Sequence, residues 1–192
     1  MKHPDTYTIH LSKDYPIVLD KLDIGDGFCI YSFDLCGESE WNRVAAKELL
    51  EKLKAYDFDG FMTVQTKSCG LSQAMSENYP RYLELRKSRK PFMVEPQGVS
   101  VQSITTHGKQ ELWIGKEKYQ HFVGKRVCFL DDVVSTGGTI DAMLELAPKI
   151  GIEISVIACV LTEGVERTEY KGIPLVSLDH IPLPGHIDKD EE

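Results

Sequence analysis

The residues that carry the most chemistry lie in one stretch, Arg126-Val127-Cys128-Phe129-Leu130-Asp131-Asp132-Val133-Val134-Ser135-Thr136-Gly137-Gly138-Thr139. An apolar run, Val127–Leu130, leads to two adjacent carboxylates, and hydroxyl residues and glycines follow before a helical pattern begins. Gly137 and Gly138 lack Cβ, so backbone N–H groups can converge there on a phosphate. Ser135, Thr136 and Thr139 add hydroxyl donors, and the helix N-terminus adds partial positive charge. Asp131 and Asp132 are acceptors suited to a vicinal diol, bound directly or with a hydrated Mg²⁺. A diol and a phosphomonoester about one sugar length apart describe ribose 5-phosphate. An isolated Asp-Asp pair can also cap a loop or helix; the surrounding string singles this one out.

These groups need a scaffold, and the apolar pattern supplies one. Tyr7–Leu11, Ile17–Leu19 and Phe28–Phe33 read as short strands broken by Pro16 and by the turn-rich Asp23-Ile24-Gly25-Asp26-Gly27. From Ser39, a suitable N-cap, Trp41, Ala45, Leu49, Leu53 and Tyr56 recur at helical spacing. Phe61–Gln65 reads as a strand, Thr66–Gly70 as a loop, Leu71–Tyr79 as a helix stopped by Pro80, and Tyr82–Leu85 as a strand. Val99–Thr105 and Glu111–Ile114 flank the polar Thr106-His107-Gly108-Lys109 as a long hairpin. Val127–Leu130 then leads into a helix with Ile140, Met143, Leu144 and Ala147 on one face, followed by strands Ile154–Leu161 and Leu175–Leu178. Apolar strands alternating with helices predict an α/β fold: a mostly parallel twisted sheet with helices on both faces, βα loops carrying ligands, and a small N-terminal hood. The predicted division is a hairpin or hood region over 1–38, an α/β domain over 39–186 and a charged tail over 187–192.

Composition narrows the function classes. With 192 residues and 42% hydrophobic content the chain can bury a full core. Its 22 Lys+Arg against 30 Asp+Glu give a net charge of −8, which opposes nonspecific nucleic-acid binding. No apolar run approaches the roughly 20 residues of a membrane span, and no secretory signal is legible after Met1, so a cytoplasmic protein is expected. Five widely spaced cysteines without a C-x-x-C pair suggest neither a disulfide framework nor a zinc site.

The string Val127–Thr139 closely resembles the phosphoribosyl-pyrophosphate (PRPP) motif of type I phosphoribosyltransferases: four apolar strand residues, two acids, two apolar residues, then Thr-Gly-Gly-Thr. Rival nucleotide motifs fit worse: Gly25 and Gly27 do not extend to G-x-G-x-x-G, and no G-x-x-x-x-G-K-[ST] is present. Ser103–Ile114, Lys116–Phe122 and Gly124-Lys125-Arg126 resemble the flexible hairpin, following helix and final approach of adenine phosphoribosyltransferases. The resemblance covers Phe61 to about Leu161. It implies Mg²⁺-dependent transfer of ribose 5-phosphate from PRPP to a purine, adenine favoured, releasing pyrophosphate. Xanthine, guanine, hypoxanthine and other nucleobases stay open, as does a noncatalytic PRPP-sensing regulator. The resemblance also implies a homodimer.

The same resemblance assigns the remaining residues. Asp131 and Asp132 would hold the ribose and the metal, and Ser135, Thr136, Gly137, Gly138 and Thr139 the 5-phosphate. Lys67, Ser68, Cys69 and Gly70 match the pyrophosphate loop, although the adenine enzymes usually place an acid, a small residue and an arginine before the glycine. Arg86, Lys87 and Lys90, within the basic Arg86-Lys87-Ser88-Arg89-Lys90, would meet the same anion or form a solvated face. Thr106 and His107 stand where the family has a glutamate and a tyrosine, leaving His107 as either a proton donor or an exposed loop histidine. Glu163, where xanthine enzymes carry a lysine, would accept a hydrogen bond from an exocyclic amine or face solvent. The Leu178–Pro184 segment and the N-terminal strands would form the hood, with Phe28, Tyr31 or Phe33 either stacked on the base or packed in the core.

Overall fold

The computed structural model describes residues 3–101 and 110–186. His107 and its neighbours Thr106, Gly108 and Lys109 lie outside the described residues, as does the predicted tail 187–192. The chain opens with β1 (Thr6–Ser12), β2 (Tyr15–Asp23), β3 (Phe28–Tyr31), α1 (Ser39–Leu53), β4 (Phe61–Val64), α2 (Cys69–Met75) and β5 (Leu83–Leu85). Then come β6 (Gln97–Val101), β7 (Gln110–Ile114), α3 (Lys116–Tyr119) with a 3-10 turn at Gln120–Phe122, and β8 (Arg126–Val134). The last part holds α4 (Gly138–Lys149), β9 (Glu153–Glu163), β10 (Glu169–Tyr170), β11 (Ile173–Ile181) and β12 (Gly185–His186).

The main sheet has the order β10-β11-β9-β8-β4-β5, and every pair in it is parallel except β10 with β11. Strands β8 and β9 are apolar almost throughout because both faces are covered. On one face Leu49 and Leu53 of α1 and Leu71 and Met75 of α2 pack with Phe61, Leu130 and Val160. On the other, Ile140, Met143 and Leu146 of α4, together with Val99 and Leu112 of the antiparallel β6–β7 hairpin, pack with Val127, Phe129 and Ile157. This is the predicted α/β architecture.

A second, antiparallel sheet has the order β1-β2-β3-β12. Its Ile9, Leu11, Ile17 and Leu19 join the core under α1, while β12 brings the chain back beside Cys29 and Phe28. The turn Asp23–Gly27 connects β2 to β3 as expected.

Five local expectations are corrected. Pro16 does not break its strand: it pairs with His10, and the β3 partners of β2 begin only at Lys21, so its missing N–H is not needed. Ser39 is the first helical residue and Glu38 the cap, held because Asn42 Nδ2 donates to the carbonyls of Glu38 and Leu35. α1 ends at Leu53, short of the exposed Tyr56, and α2 covers Cys69–Met75 rather than Leu71–Tyr79. Strand β8 runs past Leu130 to Val134, because Asp131, Val133 and Val134 pair with Cys159, Leu161 and Thr162 of β9. The two carboxylates therefore stand on a strand.

Candidate active site

The sheet reverses its winding between β4 and β8: from β4 the chain moves outward to β5, then returns to β8 on the other side. Such a switch point leaves a crevice at the carboxyl ends of the strands, where open α/β sheets bind ligands. Pairing between β4 and β8 stops at Thr63 and Leu130, and Asp131 is the next residue of β8. Across the crevice, the segment Gln65–Ser68 turns away from β4 into α2, with the Gln65–Thr66 peptide cis.

The crevice is a two-part cleft. A lobe of about 180 Å³ is lined by Gln65, Thr66, Lys67, Ser68 and Lys87, and by Gln110 and Leu112 of β7. A lobe of about 400 Å³ is lined by Ser135–Thr139 together with Phe28, Ile30, Glu163 and Leu183. Lys67, Val101, Asp131, Asp132 and Thr139 line both, so the carboxylates form the shared floor.

That floor is organised by short contacts. Ser68 Oγ donates to Asp131 Oδ1 at 3.2 Å, and the Asp132 backbone N–H donates to the same oxygen at 3.0 Å. Lys67 Nζ is 3.6 Å from Asp132 Oδ2. Burial, followed by the adjacent Asp132 charge, holds the Asp131 carboxyl well above the usual carboxylate range; the Asp132 N–H and Ser68 oppose the shift. Asp132 Oδ2 is buried with no hydrogen-bond partner among the described residues, an acceptor left for something else. Two oxygen-only side chains with an unused acceptor fit a hard cation or a diol. No cluster of three or more His, Cys, Asp or Glu occurs among the described residues, so a cation here would complete its shell from water and ligand.

Beside the acids, Gly137 caps α4 with φ +91°, a left-handed conformation open to glycine. Its missing Cβ also matters for space, since a methyl there would run into the ring of Tyr170. Among the described residues no side chain caps α4, so the first backbone N–H groups of this 12-residue helix are open donors.

The cleft thus brings together Asp131, Asp132, Ser135–Thr139, Lys67, Ser68, Lys87 and Glu163 from the sequence reading. Among the described residues, Arg86, Lys90, Cys69 and Gly70 do not line it. Arg86 lies over the Phe92 ring and pairs through its backbone with Trp113; Lys90 N–H donates to Met93 Sδ; Gly70 packs against Asn42. The Cys69 thiol is pushed up to about 11 by burial and then by Glu84, so it is a neutral thiol beside the loop. Among the candidate aromatics, Phe28 lines the cleft, edge-on to His186. Tyr31 is 1% exposed and donates to the Pro4 carbonyl, and Phe33 stacks on Trp41. The strand's period of two was the available signal: Phe28 and Ile30 share one face, Tyr31 the other. Val101, Gln110 and Leu112 were missed because they read only as hairpin flanks.

No protein-family model matches the chain. It is 31% identical over 153 residues to a hypoxanthine/guanine phosphoribosyltransferase of Methanococcus voltae, an alignment spanning 78% of this chain and 73% of the relative. It is 31% identical over 102 residues to an adenine phosphoribosyltransferase of Shigella flexneri, spanning 51% of this chain and 54% of the relative. Among solved structures, the adenine phosphoribosyltransferase of Thermoanaerobacter pseudethanolicus superposes with a TM-score of 0.69 at 18% identity, over 84% of this chain and 95% of that one. At that identity the likeness speaks for the fold.

Proposed function

The chain belongs to the purine phosphoribosyltransferases, and on that footing we propose that it transfers ribose 5-phosphate from PRPP to a purine, releasing pyrophosphate. The observation that carries this reading is the shared floor: Asp131 and Asp132 lie between a glycine-rich helix entrance and a lysine-bearing loop within one cleft. In this reading the 5-phosphate sits on the Ser135–Thr139 backbone and hydroxyls, and the ribose diol on Asp131 and Asp132. The pyrophosphate faces Thr66–Ser68, with Lys67 and Lys87 spreading its charge. The base lies against Phe28, Ile30 and Leu183 with its edge toward Glu163.

The bond from the ribose anomeric carbon to the pyrophosphate oxygen breaks, a purine ring nitrogen bonds to that carbon, and the nitrogen's proton is lost. Asp131 and Asp132 are the residues that would hold Mg²⁺, which supplies charge neutralisation at the sugar and leaving group. The chain's own groups orient the donor and place cations where negative charge develops.

Adenine is the base this reading favours, because a carboxylate accepts from an exocyclic amine and repels a keto oxygen. Hypoxanthine and guanine compete, since the Methanococcus voltae relative carries that name. A homodimer belongs to the same proposal; the exposed Val18 and Leu22 on β2, with Ile24 in the turn that follows, would suit a second copy. A cytoplasmic location belongs to it as well, and no described helix is long and apolar enough to cross a membrane.

The test incubates the protein with PRPP, Mg²⁺ and adenine, hypoxanthine, guanine or xanthine in turn, following pyrophosphate and nucleotide. Nucleotide with one of these bases is the expected result. Tight PRPP binding with no product from any base would instead identify a sensor.

A further inference from the structure

Outside the cleft, the short hairpin between β10 and β11 leans on the phosphate loop. Tyr170 pairs with Ile173 across a two-residue turn, Lys171-Gly172, and both turn residues have positive φ, 51° and 81°. That geometry matches the right-handed twist of the flanking strands and fixes the direction in which Tyr170 and Lys171 leave the hairpin. Tyr170 packs on the α4 side of the core, and its ring edge and hydroxyl fill the space a Cβ on Gly137 would need.

Three further contacts hold it there. Lys171 Nζ lies 2.6 Å from Asp141 Oδ1 in the first turn of α4. The Lys171 ammonium and the Arg167 guanidinium each lie 5.7 Å from the Tyr170 ring centroid. Arg167 Nη1 is buried with no hydrogen-bond partner among the described residues.

From these contacts we infer that Tyr170 is a positioning residue for the 5-phosphate site, packing against Gly137 so that the phosphate loop is set before ligand arrives. The inference rests on the proposed phosphoribosyl function. Its physical basis is the entropy of the loop: two adjacent glycines have wide conformational freedom, and a ligand that must order them loses affinity. A ring pressed against Gly137 removes much of that freedom in the free protein. Tyr170 lines neither lobe of the cleft, so it acts through the loop.

The test compares Tyr170→Ala and Tyr170→Phe with the parent protein, reading ribose 5-phosphate and pyrophosphate binding by calorimetry, with kinetics on PRPP alongside. For Tyr170→Ala, ribose 5-phosphate affinity should fall about tenfold and the KM for PRPP rise by a similar factor, with kcat within about twofold. Pyrophosphate affinity should stay within about twofold, showing that the rest of the cleft is intact, and Tyr170→Phe should restore ribose 5-phosphate binding. Equal losses for both ligands, or no loss for either, would overturn the inference while leaving the enzyme reading in place. A parent protein that binds neither ribose 5-phosphate nor PRPP overturns both.

Discussion

Lys67 Nζ sits between two anchors, the Phe33 carbonyl at 3.4 Å and Asp132 Oδ2 at 3.6 Å, so the loop after β4 reaches across the switch point to the strand that carries the acids. The ammonium partly compensates an otherwise unbonded, buried carboxylate oxygen. It therefore competes with any other cation for Asp132. Lys67→Met should raise the affinity for Mn²⁺, used alone as a spectroscopic probe, by roughly three- to tenfold, while weakening pyrophosphate binding by a similar factor. Unchanged Mn²⁺ titrations followed by electron paramagnetic resonance would show that the lysine does not screen the acid.

The raised Asp131 carboxyl gives a pH dependence with a definite sign. Burial and the Asp132 charge hold its folded pKa above the unfolded value, so its contribution to stability is fully present below the unfolded pKa and is lost as pH rises through the folded one. Ligand binding runs the other way. A diol or hydrated cation needs the carboxylate, so affinity for Mg²⁺–PRPP should rise with pH across that window, with a proton released on binding. Calorimetry in two buffers of different ionisation enthalpy measures that proton, and Asp131→Asn should abolish it.

Charge at the floor should matter far more than charge nearby. Each carboxylate lost removes charged hydrogen bonds worth about 1.5–3 kcal/mol, so the double change Asp131→Asn with Asp132→Asn should cost at least about 100-fold in kcat/KM for PRPP. Lys116, exposed and paired with Glu95 at 2.6 Å, provides the comparison: Lys116→Ala should change kcat/KM by less than about twofold. Steady-state kinetics on the two variants decide whether the acids serve the donor.

Some of this site was legible in the sequence for physical reasons, and some was not. The glycine pair and the acids announce themselves because few structures need those groups consecutively, and the buried β8 and β9 read as unbroken apolar runs. Chain order alone does not reveal that β8 continues through Asp131 to Val134, since that depends on the parallel pairing with β9. The partners of the acids were harder still. Ser68 and Lys67 lie more than 60 residues from Asp131 and Asp132, and Tyr170 reaches Gly137 from a hairpin whose turn carried no recognised signature. The basic run is less legible, because composition does not reveal that Arg86 and Arg89 lie over the Phe92 and Trp113 rings.

Glu163 ends β9 and lines the same lobe as the apolar Phe28, Ile30 and Leu183. Glu163→Gln keeps the shape but adds a donor, so it should shift the kcat/KM ratio of adenine to hypoxanthine toward hypoxanthine by roughly tenfold, about 1.4 kcal/mol. Competition assays with both bases at fixed PRPP measure the ratio. If it does not move, the side chain does not read the base.

Gly137 is the position where backbone and packing constraints coincide, and the two can be separated. Its φ of +91° is strained for any residue with a Cβ, at a cost of about 1–3 kcal/mol, and the added methyl meets the Tyr170 ring, overpacking worth about 1–3 kcal/mol more. Gly137→Ala should therefore destabilise the fold by roughly 2–6 kcal/mol in urea unfolding. In the Tyr170→Ala background the ring is gone, so the same change should cost only the backbone part, a coupling of about 1–3 kcal/mol. Additive costs across this cycle would mean that the loop relaxes away from the ring, and with it the idea that Tyr170 sets the loop's position.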